Sequence, residues 1–352
     1  CSNNLNLLLP CGQFGSRLEN GNDSAAERYI FTKLNPITNY IYKKYDNYIL
    51  EYNISDNNEI EPKYYCPIIP MVLINGCRGI GTGYSTYIPP FNPKDIIKII
   101  NKILKHKIDD SKKKLSYSLP KPYFKGWKGK IIKNKDGNYI AHPNIEQINK
   151  TKYKILDIPP EKSINQYKVI LEKLLDNKII KDYQSNCTDN YIEFIVEINK
   201  KVPESDNGYN ELYKLLKLEY IINMNNMVLF NKNYNKLEKY SNIGDIINSF
   251  INNRIEYYIK RKDYLLNQFS NEYKILSNKY KFILSIINDK INIYKKKKNI
   301  IFQILEDNKF DKINNKYDYL IEMKIHNFSE EKLKELKKLI INKKNEYKFI
   351  KE

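Results

Sequence analysis

The 352-residue sequence predicts a mixed α+β protein of more than one domain, and three observations carry that expectation. The length exceeds one ordinary domain and is enough to bury a sizeable core. Between Glu61 and Asp245, short runs rich in β-branched and aromatic residues are punctuated by Pro and Gly, the pattern of strands and turns. From Ile246 onward Pro and Gly vanish and apolar residues recur every three or four positions, which is helical spacing.

In chain order, residues 25–45 predict a helix, because Tyr29, Ile30, Leu34, Ile37, Ile41 and Tyr42 fall on one helical face and Asp23 and Ser24 stand before it as caps. Strands are predicted at 67–74, 129–133, 152–158 and 191–198, with helices at 93–107 and 163–176 between them. A long helix follows, with Ile251, Ile255, Tyr258, Leu265, Phe269, Tyr273, Leu276, Tyr280, Ile283 and Ile287 on its seam and Lys262 interrupting it. Ser329 caps a second helix whose first turn holds Glu330 and Glu331, acids placed at the positive end of the helix dipole. Leu333, Leu336, Ile340 and Tyr347 form its stripe, so the two helices should pair as an antiparallel coiled-coil hairpin with a small helical knob at 293–328 between them. The four lysines at 295–298 read as a solvated turn.

The 60 Lys and Arg residues outnumber the 41 Asp and Glu, leaving a net charge of +19. That balance favours polyanionic partners without selecting any sequence. The Asn, Lys, Ile and Tyr load looks like the codon bias of an AT-rich genome, so the 31 tyrosines are not a binding signature. Cys1, Cys11, Cys66, Cys77 and Cys187 form no CxxC pair and no Cys/His spacing for a metal, as expected of free thiols in a reducing, intracellular setting. No apolar run reaches the roughly 18–20 residues of a membrane span, so no membrane partner is expected. The chain starts without Met and runs straight into apolar residues, as expected of a piece of something longer.

Two motifs bear chemistry. The first is Gly12-Gln13-Phe14-Gly15-Ser16-Arg17, followed by Asn22-Asp23-Ser24-Ala25-Ala26-Glu27-Arg28-Tyr29-Ile30-Phe31-Thr32. A phenol, which ordinarily titrates at about 10, is a poor nucleophile at neutral pH unless its oxyanion is stabilised or its proton taken. An adjacent guanidinium gives such help and also clamps phosphate oxygens. An Arg-Tyr pair alone is nonetheless commonplace. The second motif is Pro67-Ile68-Ile69-Pro70-Met71-Val72-Leu73-Ile74-Asn75-Gly76, then Cys77-Arg78-Gly79-Ile80-Gly81-Thr82-Gly83. An apolar strand running into glycines cradles phosphate only when a helix follows directly. Here Pro89, Pro90 and Pro93 intervene and no Gly-Lys-Ser/Thr occurs, which excludes a nucleotide loop.

Both motifs, in this order, resemble the type IIA DNA topoisomerases. The Gln-Phe-Gly turn, the Asp-Ser-Ala approach and Arg-Tyr-Ile-Phe-Thr are similar to the active-site segment of the eukaryotic and viral branch; bacterial gyrases lack the Ile-Phe-Thr continuation. The resemblance implies that Tyr29 attacks a DNA phosphodiester, leaving a 5′-phosphotyrosyl bond and a free 3′-hydroxyl, with Arg28 as its transition-state partner. It implies that Ile80, in Asn-Gly-x-x-Gly-Ile-Gly-Thr-Gly, wedges between base pairs, flanked by Gly79 and Gly81 at the DNA. Where the family usually has an acid, this chain has Arg78. Gln13, Ser16, Arg17 and Ser24 flank the active-site segment and are candidates for backbone phosphate contacts. At lower specificity, Pro122 to Gly129, Asn223 to Phe230, Arg254 to Lys262 and Tyr319 to Met323 continue the similarity, which spans essentially the whole chain.

The resemblance further implies three parts: residues 1–60 as the C-terminal part of a winged-helix domain with the tyrosine, 61–245 as an α/β tower domain with the isoleucine, and 246–352 as a coiled-coil gate that makes a homodimer. Double-stranded DNA is the expected partner and the nucleus the expected location. Mg2+ and ATP are expected cofactors of an ATP-dependent enzyme, both held by domains upstream of Cys1, with no metal ligand here. The 352 residues alone should bind DNA and cleave poorly. His106, His142 and His326 lie away from both motifs and read as surface or packed residues. The alternative from another class is a noncatalytic, basic coiled-coil architectural protein that binds DNA through general charge.

Overall fold

A computed structural model describes residues 3–108, 116–134, 137–199, 206–313 and 315–352, without the side chains of 206–209. It forms two compact units, one of Cys1–Lys44 and Tyr65–Arg254, the other of Tyr45–Tyr64 and Ile255–Glu352. These do not coincide with breaks at 60 and 245. The segment from Tyr45 joins the C-terminal residues because Asp46 accepts from Arg261 at 3.3 Å, Tyr48 stacks on Tyr264 at 5.2 Å and Tyr64 meets Tyr257 at 5.9 Å.

In the first unit, β1 (Leu8–Cys11) pairs antiparallel with β2 (Phe31–Leu34), and α1 (Pro36–Ile41) follows. The expected helix over 25–45 does not form. Asn35 is extended and caps Ile37 N, while Pro36 takes the first helical turn. Proline disfavours helix in the residue before it and suits position one of a new helix. The β-branched Ile30 and Thr32 sit in an extended stretch, with Thr32 facing Pro10 of β1, so the apparent helical stripe was a coincidence of spacing. In the second unit, β3 (Tyr52–Ser55) and β4 (Asn58–Pro62) form a hairpin.

Back in the first unit, the predicted strand at 67–74 is instead a short helix, α2 (Met71–Ile74), whose Leu73 and Ile74 are fully buried. Pro67 and Pro70 both lack the N–H that a ladder needs. Buried Asn4 holds this region together. Its amide donates to the carbonyls of Ile74, Phe91 and Tyr123 and its oxygen accepts from Lys125 N. The glycine motif itself is a strand, β5 (Cys77–Gly81), paired with β6 (Tyr84–Ile88). Next comes α3 (Pro93–Ile108), close to the predicted 93–107, which buries Ile96, Ile99, Ile100 and Ile103 at helical spacing.

Strands β7 (Gly129–Lys133) and β8 (Tyr139–Pro143) then pair antiparallel. They are followed by β9 (Ile145–Gln147), β10 (Lys152–Ile155), β11 (Ile180–Ser185) and β12 (Phe194–Ile198), which form one sheet in the order β11-β12-β10-β9. Helix α4 (Ile164–Asp176) opens with a reciprocal box between Ser163 and Gln166, where the sequence placed its start. Its Tyr167, Leu171 and Leu174 bury against Tyr153, Ile155, Phe194 and Val196 of the sheet, with the Tyr167 and Phe194 rings edge-on at 5.3 Å. Helix α5 (Asp206–Leu215) leads to β13 (Tyr220–Ile222), which adds to β8 as the third strand of its sheet. A last hairpin joins β14 (Met227–Phe230) and β15 (Leu237–Tyr240).

Helix α6 (Ile243–Ile287) spans 45 residues. In the second unit it meets α9 (Glu330–Lys351) antiparallel, since Lys262 reaches the Lys351 carbonyl at 2.8 Å and Glu272 pairs with Lys343 at 2.8 Å. Lys262 thus interrupts the apolar seam because its ammonium binds a carbonyl in the last turn of that helix, where cations are favoured. Ser329 caps α9 through Lys332 N, as expected. Between these helices, α7 (Lys298–Asp307) and α8 (Asp318–Ile321) pack around Phe282, Ile291, Leu305, Phe310, Tyr317 and Leu320. Among the described residues no helix is long and apolar enough to cross a membrane.

Candidate nucleic-acid cleavage site

Tyr29 ends a single helical turn, Glu27–Tyr29, which Tyr29 N closes on Ala26 O at 2.9 Å. The ring is 68% exposed, and the Arg28 guanidinium lies 4.9 Å from its centroid. An aromatic this exposed has given up most of the stabilisation that burial provides. The phenol and the guanidinium both face outward, where a phosphate can reach them.

The loop before Tyr29 is folded by Asp23. Asp23 does not cap a helix: its carboxylate accepts from Ser16 N at 2.8 Å, from the Ser16 hydroxyl, and from Gln13 Nε2 at 3.3 Å. These bonds, the Ser16 hydroxyl first and its N–H next, hold the Asp23 carboxyl below the ordinary carboxylate range. Gly15 at φ +100 permits the turn, since a Cβ there would fall 2.5 Å from Gly21 Cα. Because the folded pKa is depressed, the stabilising contribution of Asp23 is present above its unfolded value of about 4. It is lost as pH falls through the lower folded value. An NMR titration should therefore show an Asp23 midpoint below the ordinary range, returning toward it in Ser16→Ala; an ordinary midpoint in the parent would contradict this loop geometry.

The flanking candidates separate. Gln13 and Ser24 are exposed. Ser16 is buried and spent on Asp23 and Leu18 N. Arg17 turns inward: one amino group donates to Asn20 Oδ1 at 2.9 Å and to the carbonyls of Pro160 and Lys162 at 3.0 and 2.7 Å, the other to the carbonyl of Pro159 at 2.9 Å. Asp157 lies 3.8 Å away. Burial pushes both partners toward neutrality, Arg17 down and Asp157 up, and their mutual attraction opposes this. In this fold the Ser16 hydroxyl and the Arg17 amino groups are thus engaged within the protein, whereas Gln13 and Ser24 are exposed.

Ile80 is 89% exposed on β5, opposite Ser85 of β6 and beside a two-residue turn, Thr82-Gly83, with Gly83 at φ +77. The hairpin is braced by β14 and the residue before it: Tyr87 N donates to Asn226 O at 2.8 Å, the Asn226 side-chain amide donates to Ser85 O at 3.0 Å, and Val228 N donates to the Thr86 hydroxyl at 3.0 Å. Neither Gly79 nor Gly81 lies in the left-handed region, and a Cβ on either would meet its nearest neighbour only at 3.9 Å. Nothing inside the protein therefore requires glycine at these two positions.

Sequence reasoning missed Asn4, Asp157 and Glu161, whose isolated positions had no periodic or motif signal. Among the described residues no cluster of three or more His, Cys, Asp or Glu side chains is placed to hold a metal ion. The described residues thus do not fit a carboxylate-held Mg2+ site, and the glycine motif, being a hairpin, does not fit a nucleotide cradle.

The family model for the A subunit of DNA gyrase/topoisomerase IV matches residues 1–352. The DNA topoisomerase 2 top-2 of Caenorhabditis elegans is 37% identical over 282 residues, covering 78% of this chain and 18% of the relative. The mitochondrial DNA topoisomerase 2 of Dictyostelium discoideum is 38% identical over 277 residues, covering 78% and 21%. The solved Plasmodium falciparum topoisomerase II DNA-binding, cleavage and re-ligation domain matches with a TM-score of 0.81 at 35% identity, over 99% of this chain and 50% of that one. This chain spans about a fifth of the length of these curated relatives. A full-length family match, together with a shared α+β fold and relatives among eukaryotic DNA topoisomerase 2 proteins, means that the chain belongs to the type II DNA topoisomerases, the family that includes DNA gyrase and topoisomerase IV.

Proposed function

We propose that this chain is the part of an ATP-dependent type II topoisomerase that carries the DNA-cleaving nucleophile. The observation that supports this most is the exposed Tyr29 phenol with the Arg28 guanidinium over its ring, on the segment that resembles the family's active site. Tyr29 Oη gives up its proton and attacks phosphorus, the bond from phosphorus to the 3′-oxygen breaks, and the 3′-oxygen takes up a proton and leaves as a hydroxyl. Arg28 binds the phosphate oxygens on which charge develops. One ester replaces another, so resealing reverses the same attack without ATP. Ile80 wedges between base pairs; unstacking a step costs about a few kcal/mol, offset by the added contact with bent DNA. Bare backbone at Gly79 and Gly81 lets the duplex approach the wedge.

In this reading residues 1–60 complete a winged-helix domain, 61–245 form the tower, and 246–352 form a coiled-coil gate that joins two copies, each cutting one strand of a duplex. Gln13 and Ser24 remain available for phosphate contact; Ser16 and Arg17 shape the loop. Mg2+ and ATP act through parts of the protein outside these 352 residues, and the nucleus is the proposed compartment, with a mitochondrial relative marking the other option. The architectural-protein alternative leaves the exposed Arg28-Tyr29 pair without a role. Denaturing a reaction of the whole protein with DNA should trap protein on 5′ ends and leave 3′-hydroxyls that a polymerase extends. Attachment to 3′ ends, or no adduct under conditions that relax supercoils, would exclude the mechanism.

A further inference from the structure

The nucleophile loop and the wedge hairpin are separate β-hairpins, yet one short segment grips both. On one side, main-chain atoms of residues 158–162 hold the loop before Tyr29: Arg17 donates to the carbonyls of Pro159, Pro160 and Lys162, and Asn20 Nδ2 donates to Glu161 O at 3.3 Å. The start of α4 adds two more ties, Ile164 N to Arg17 O at 3.2 Å and Asn165 N to Leu18 O at 3.1 Å. On the other side, the Glu161 side chain holds the base of the hairpin. One carboxylate oxygen accepts from the Tyr87 hydroxyl at 2.6 Å and the other from Arg78 Nη1 at 3.2 Å. Arg78 and Tyr87 are direct cross-strand partners, so both strands are held at one rung. Arg78 and Ile80 are two residues apart on β5 and share a face. Loop, hairpin and Glu161 line a common cavity of about 850 Å3.

We propose that Glu161 is a positioning residue that sets the wedge Ile80 in register with the nucleophile Tyr29, its main chain fastened to the Tyr29 loop and its carboxylate to the Ile80 hairpin. This rests on the cleavage reading above. The physical logic is one of unequal anchoring. Glu161 is three-quarters buried at its side chain and fixed by its own backbone, whereas Arg78 is 72% exposed, so the carboxylate is the fixed post and the hairpin the part that is steered. Burial, and then the carboxylate itself, push the Tyr87 phenol upward, so it stays a hydrogen-bond donor throughout the neutral range. An acid at position 78 would face Glu161 as a like charge, and the hairpin would keep only the Tyr87 hydroxyl of these two ties to the Glu161 carboxylate.

The test measures the bend of a doubly labelled duplex by energy transfer at saturating whole protein on a Tyr29→Phe background, so that the DNA stays uncut and affinity is separated from shape. Ile80→Ala should abolish most of the bend; if it does not, the wedge reading itself fails. With that response in hand, Arg78→Glu should lower the bent fraction by about two- to fivefold, the range for an exposed pair turned repulsive. Adding Glu161→Arg should restore it to within about twofold of the parent, because the pair is re-formed with reversed charges. Tyr87→Phe, which keeps the ring in place, should give a smaller loss of about twofold. The Arg78→Glu effect should shrink at high salt. If Ile80→Ala removes the bend while Arg78→Glu and Tyr87→Phe leave it unchanged, or if the charge swap fails to recover it, the positioning role of Glu161 is overturned and the cleavage reading stands.

Discussion

Tyr29→Phe is expected to reduce the covalent protein–DNA adduct by at least on the order of a thousandfold while leaving DNA affinity close to that of the parent. Removing a nucleophile typically costs about this much or more, because the remaining groups bind and orient but form no bond. Affinity should persist because the phenol sits at an exposed position and the change deletes one oxygen without disturbing any packed surface. The Arg28 guanidinium keeps its aromatic partner, so its position over the ring is preserved. The measurement is denaturant trapping of end-labelled DNA by the whole protein, with anisotropy for binding. Adduct at parental yield would remove Tyr29 from the chemistry. A parallel loss of binding would mean that Tyr29 serves the DNA surface instead of the bond exchange.

Arg17→Ala should be the most damaging change to the framework behind that nucleophile, costing about 2–4 kcal/mol. The side chain is mostly buried, and its removal leaves the carbonyls at 159, 160 and 162 without their donor and Asp157 without its cation. Arg17→Lys keeps the charge but lacks the planar fork that reaches several carbonyls at once, so an intermediate loss is expected. Two compact units make a single unfolding midpoint a poor gauge. Native-state hydrogen exchange is the better measure, read at Ile164 and Asn165, whose amides donate to Arg17 O and Leu18 O. Unchanged protection there in Arg17→Ala would show that the clamp contributes nothing.

Local physics made part of this protein legible in advance. The helical stretches at 93–107 and 163–176, the Ser329 cap, and the Pro-free, Gly-free C-terminal third all gave elements close to those observed. Each rests on neighbours within four residues, which a sequence displays directly. The failures have equally local causes. Over residues 25–45 an apolar spacing compatible with a helix outweighed the Asn35-Pro36 stop signal, although Pro36 begins a new helix there. At 67–74 the apolar run was read as a strand despite two prolines.

By itself the sequence determined which residues are chemically equipped and in what order they come: Arg28-Tyr29, then Ile80 between glycines, then the paired helices. Whether an equipped side chain is free to act was decided only by tertiary structure. Arg17 and Arg28 look alike in the chain, yet Arg17 is spent on carbonyls more than 140 positions away and Arg28 faces outward beside an exposed phenol. Glu161, one acid among 41 in the sequence, becomes the link between two hairpins. The reason is that a polar group's role depends on which donors and acceptors the folded chain brings within about 3 Å of it, and for these residues those partners are distant in sequence.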